Sequence, residues 1–143
     1  MKKITNPDYQ LPEIFANEYI ESIKGSANTP ILVRGIDKSS YVKNEYVVKL
    51  KSVERMADPA ASMRELLACF IAMEMEIPCV EPALIEITNE FVALLPDNTD
   101  VKMQVQKSLG YNFGSIYRDG YQVINFVNLN DKLNVICTKY FCV

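Results

Sequence analysis

The strongest constraint in this chain is one uninterrupted helix-forming stretch. Asp58-Pro59 supplies an N-cap and a first-turn proline, helix formers run over residues 60–76, and Ile77-Pro78 stops them. Met63, Leu66, Leu67, Phe70, Ile71 and Met73 recur at helical spacing on one broad face, which predicts that this face packs into a core. No charge interrupts residues 66–73, so cover on a second face is expected too. Such a helix needs a sheet to lie on, and β-rich runs stand on both sides of it.

Upstream, residues 14–23 fit a strand or a short helix, the strand being the better match, and end in the turn formers of residues 24–30. Ile31-Leu32-Val33-Arg34 and Tyr46-Val47-Val48-Lys49-Leu50 read as adjacent antiparallel strands. Downstream, residues 79–87 and 91–95 are strand-like, divided by a turn at Thr88-Asn89-Glu90. Residues 97–109 predict a helix capped by Asp97, Asn98 or Thr99 and closed by Gly110. Beyond them Gly114, Gly120 and several asparagines read as an irregular extension, ending on apolar Tyr140-Phe141-Cys142-Val143, which is either a last strand or a patch for a partner.

The expectation is therefore an α+β fold, an antiparallel sheet with one well-buried helix. It occupies a single domain over residues 1–143, with the sheet and helix at about 15–95 and the extension at about 96–143. A chain of 143 residues buries enough surface to fold without staples. Cys69, Cys79, Cys137 and Cys142 show no CxxC spacing and read as reduced thiols rather than zinc ligands or disulfides, which points to a cytoplasmic setting. No apolar run reaches the length of a membrane span.

Charge and composition remove several functions. With 15 basic and 18 acidic residues the net charge is −3, which argues against bulk nucleic-acid binding. Histidine is absent, so His-based triads, zinc sites and proton shuttles are out. Lys49, alone among apolar strand residues, and a glutamate on the following helix are what remain of interest. A phosphate contact for Lys49 competes with an ordinary solvent-facing strand lysine. Glu65 lies nearly opposite the apolar stripe, in the company of small Ala68, Cys69 and Ala72; Glu54, Glu74 and Glu76 are rival partners.

Four ordered segments carry a resemblance: Tyr46-Val47-Val48-Lys49, Arg64-Glu65-Leu66-Leu67-Ala68, residues 77–87 and residues 108–115. In that order they resemble the HipA-like kinase domain of bacterial proteins, over residues 15–120. The resemblance implies a protein-kinase-like amino-terminal lobe that binds ATP with Mg2+. Lys49 would contact the phosphates, Glu65 would hold Lys49, and Gly25 and Ser26 would form the loop over the nucleotide. Glu76 and Val80 depart from the pattern, where a glycine and a proline are expected. The larger departure is chemical: Asn125-Phe126-Val127-Asn128-Leu129-Asn130-Asp131 is the one later stretch with suitable side chains, and its order is wrong for a catalytic loop followed by a metal-binding aspartate.

No catalytic residue and no metal ligand is therefore assigned, and neither zinc nor haem is expected. Three readings follow. One is a truncated or split HipA-like lobe, with weak ATP binding and its catalytic half on a second lobe or chain. Another is a non-catalytic protein-interaction or antitoxin-like regulatory module, as in toxin-antitoxin pairs. The last is an unrelated α+β protein in which Lys49 and Glu65 are surface charges.

Overall fold

The structure is a computed structural model and describes residues 3–24, 29–53, 57–58 and 60–118. The elements are β1 (Glu13–Ser22), β2 (Ile31–Asp37), β3 (Lys43–Lys49), α1 (Ala61–Glu74), β4 (Pro82–Ile87), α2 (Asn89–Ala93), α3 (Asp100–Gln106) and β5 (Gly110–Ile116). The strands close into a barrel in the order β1-β2-β3-β5-β4. Every neighbouring pair is antiparallel except β1 with β4, which run parallel where residues 13–15 of β1 meet residues 84–86 of β4.

Period-2 alternation builds the interior. Ile31 and Val33 on β2, Tyr46 and Val48 on β3, and Ala83, Ile85 and Ile87 on β4 point inward beside Ile14 of β1. A barrel of so few strands is narrow, and two interior positions are glycine for that reason. A Cβ on Gly35 would meet Ile14 Cγ2 at 2.4 Å, and one on Gly114 would meet Ile85 Cγ1 at 2.4 Å and Val47 O at 3.0 Å. The long β1 is bent by two register shifts, between Ala16 and Glu18 and between Tyr19 and Glu21, as bulges bend a strand. That bend carries one end of β1 round to β4.

Here the expected fold class is corrected. The sheet is not an open antiparallel one, and the molecule is not a protein-kinase-like amino-terminal lobe; it is a closed, mixed barrel, because parallel pairing of β1 with β4 removes the edges an open sheet would keep. Nor is α1 the buried helix of such a lobe. It lies outside the barrel wall over β5, burying Ala61, Cys69, Ala72 and Met73, while Met63, Leu67 and Ile71 face outward. Small Ala61, Cys69 and Ala72 allow close approach to the wall, with Met73 buried beside them.

Other elements are also corrected. Residues 91–95, expected as a strand, begin inside α2 and its cap: the Thr88 hydroxyl accepts a hydrogen bond from Phe91 N, so the expected turn is a helix N-cap. Thr99 caps α3 in the same way through Lys102 N. These two short helices add Phe91, Val92 and Val105 to the barrel core, and Leu95 joins them from the segment between the helices. Residues 110–116, expected to be irregular, form β5 between β3 and β4. No helix among the described residues is long and apolar enough to cross a membrane. Residues 125–131 and 140–143 lie outside the described residues.

Candidate functional site

The wall beneath α1 brings two of the candidate residues together. On β3, Tyr46 and Val48 point inward, so Lys49 points outward, paired across the ladder with Phe113 of β5. On α1, Ala61, Glu65, Cys69 and Met73 fall four residues apart and form the row nearest the barrel. Ala61, Cys69 and Phe113 make a small apolar cluster there, with Leu66 and Val80 against it. Glu65 is the charged member of the row and meets Lys49: Nζ to Oε1 is 3.1 Å, with the lysine side chain 5% and the glutamate side chain 26% exposed. The Lys49 ammonium also lies 5.9 Å from the centre of the Phe113 ring.

The rival carboxylates go elsewhere. Glu74 accepts a hydrogen bond from the Thr5 hydroxyl at 2.9 Å, and Glu76 pairs with Lys3 at 2.8 Å. Glu54, Gly25 and Ser26 lie outside the described residues. Among the described residues, Glu65 is the one ion-pair partner of Lys49. An ammonium has three donors, so this lysine is held but not saturated.

A second lysine, which sequence reasoning did not single out, shows what saturation looks like. Lys38, just after β2, reaches Glu86 Oε2 at 2.7 Å, Tyr111 OH at 2.8 Å and Glu13 Oε2 at 3.4 Å, and sits 4.4 Å from the centre of the Phe15 ring. Tyr111 OH in turn donates to Glu13 Oε2 at 2.8 Å. The group joins β1, β4 and β5 where the parallel pairing closes the barrel. The hydrogen bond to Glu86 and then that to Tyr111 push the Lys38 ammonium well above the ordinary lysine value. The Tyr111 hydroxyl, then Lys38, hold the Glu13 carboxyl below its ordinary value. The sequence signal was faint: Tyr111 followed a glycine and read as loop.

No family model, curated protein or solved structure matches this chain. The site must be read from its own chemistry.

A buried polar network at one end of the barrel is internally complete. Asn112 Oδ1 accepts from Lys51 N at 2.9 Å, and its Nδ2 donates to Ser108 O at 2.7 Å and Gly110 O at 3.0 Å. Ser52 and Ser108 hydroxyls both donate to Gln104 O at 2.9 Å. These groups have their partners and serve to tie β3 to α3 and β5. Burial pushes the Cys79 thiol above its ordinary value, which leaves it a poor nucleophile. Among the described residues no group of three or more acidic or cysteine side chains could hold a metal.

Proposed function

We propose that this chain binds the phosphates of a nucleotide, ATP with Mg2+, weakly and without transferring them, Lys49 being the cation and Glu65 its positioning partner. The observation that carries the reading is the contrast in partners: an almost fully buried lysine with a single carboxylate beside it. Burying an ion pair costs desolvation that its own attraction rarely exceeds, so the pair is a poor device for stability alone. It is a good device for keeping an ammonium dry and aimed.

An incoming phosphate would approach from the side on which Glu65 meets solvent. Lys49 offers it the donors that Glu65 does not use, and Glu65 keeps the stem oriented. The carboxylate also repels the anion, which keeps the affinity low; Mg2+ would arrive on the phosphates and offset that charge. Transfer would further need an acidic residue to take the acceptor's proton and groups to hold the metal. The described residues supply neither around Lys49.

The test is thermal unfolding with and without ATP and Mg2+. At ten times Kd, mass action stabilises by about 1.4 kcal/mol, a rise of roughly 4 °C for a chain of this size. Wild type shifts and Lys49→Ala does not. An unshifted wild type removes nucleotide binding and leaves the non-catalytic interaction module as the reading.

A further inference from the structure

We infer that the outer face of α1 is a contact surface for a second copy of this chain, the two α1 helices lying antiparallel about Cys69. Four apolar side chains stand in one row on that face: Met63 is 57%, Leu67 49%, Ile71 59% and Met75 65% exposed. Each lies four residues from the next, so they form one ridge of the helix, offset by two residues from the row that packs on the barrel. Single exposed apolar residues are common; a continuous ridge of them marks a surface that something covers.

Symmetry chooses the occupant. Counted outward from Cys69, the ridge reads alike in both directions: Met63 answers Met75, and Leu67 answers Ile71. A two-fold interface needs this self-complementarity, since each residue must meet its counterpart's partner. The charges follow the same rule with opposite signs. Arg64 answers Glu74, so an antiparallel second copy brings the guanidinium of each chain towards the carboxylate of the other at both ends. Among the described residues these two reach exposed groups, Asp58 from Arg64 at 2.7 Å and Thr5 from Glu74 at 2.9 Å. A parallel pair would set like charges together instead. The ridge is one helix wide, at the small end of interface sizes, so the dimer is weak, with Kd on the order of 10 μM. The inference does not depend on nucleotide binding.

Sedimentation equilibrium of the full chain from about 1 μM to about 300 μM tests it across that Kd. Wild type passes from monomer to dimer, and Leu67→Gln raises Kd at least about tenfold. Arg64→Glu weakens the dimer, and Arg64→Glu with Glu74→Arg restores it, with far-UV circular dichroism checking the fold of each variant. A monomer throughout the range overturns the proposal. So does a dimer indifferent to Leu67→Gln, or a double charge reversal that fails to restore. A monomer in which Met63 and Met75 resist peroxide places another part of the chain on the ridge and also overturns it.

Discussion

The seam of the barrel and the wall under α1 each hold a lysine against carboxylates, and they do so for different ends. At the seam, Lys38 has two carboxylates, a hydroxyl and an aromatic face, all on strands or turns that must meet for the barrel to close. Under α1, Lys49 is more deeply buried, yet among the described residues it meets one carboxylate. Burial and number of partners run in opposite directions. The lesson is that a lysine's burial and the number of polar groups that meet it are set independently, the first by what packs over it and the second by how many elements converge on it.

The largest effect that would sharpen this comparison lies at the wall. Glu65→Ala strands a nearly buried ammonium and costs about 3 kcal/mol in urea unfolding, whereas Lys49→Met leaves a carboxylate that can turn to solvent and costs about 1 kcal/mol. Equal losses would mean that the two groups are equally wet, against the observed burial. At the seam, Tyr111→Phe removes the donor to Glu13 and the hydroxyl that Lys38 reaches, and costs about 0.5 kcal/mol at its half-exposed position.

Part of the acid pH dependence should come from the seam. The Glu13 carboxyl is lowered in the folded protein, so its contribution is present above the ordinary value of 4.5 and is lost as pH falls through the lower folded value. Urea midpoints of wild type and Glu13→Gln, measured downward from that pH, should therefore converge. A gap that stays constant in acid would break the assignment. The smallest effect is salt: raising ionic strength should weaken the exposed seam pairs and leave the wall pair nearly unchanged, read as the difference in salt slope between Lys38→Met and Lys49→Met.

Much of this was legible in the sequence, and the misses have physical causes. The β2 and β3 runs and the body of α1 follow from short-range signals that the structure keeps, although α1 starts at Ala61 after an Ala60 N-cap with no side-chain cap rather than at an Asp58 cap; the meeting of Lys49 with Glu65 was implied by the family resemblance alone, since the residues by themselves read Glu65 as a solvated carboxylate. Barrel closure was not legible, because it rests on bulges in β1 and on pairing with β4 across most of the chain. Phe91-Val92 fits a strand as well as a helix, since a short apolar run has no decisive period; the Thr88 hydroxyl, which caps α2 through Phe91 N, decides for the helix. Gly114 suggested a loop, but an interior wall position beside Ile85 wants no side chain.

The instructive miss is the helix face. Periodicity predicts that Met63, Leu66, Leu67, Phe70, Ile71 and Met73 pack into the core; the structure buries Met73 and half-buries Leu66 and Phe70, but leaves Met63, Leu67 and Ile71 exposed and seats the Ala61, Glu65, Cys69 and Met73 row on the wall instead. A wall already closed on itself offers α1 a shallow seat, filled by Ala61, Cys69 and Met73 with Leu66 at its side and the Glu65 carboxylate in the same row. The same reversal that places Glu65 over Lys49 leaves the apolar ridge outside.

The most direct test replaces both charges at once. Lys49→Met with Glu65→Leu is unfolded in urea with and without ATP and Mg2+ beside wild type. The account predicts that without nucleotide the double variant is as stable as wild type or more so, and that ATP raises the midpoint of wild type alone. A midpoint that ATP leaves unmoved in wild type, or raises equally in both proteins, would contradict it.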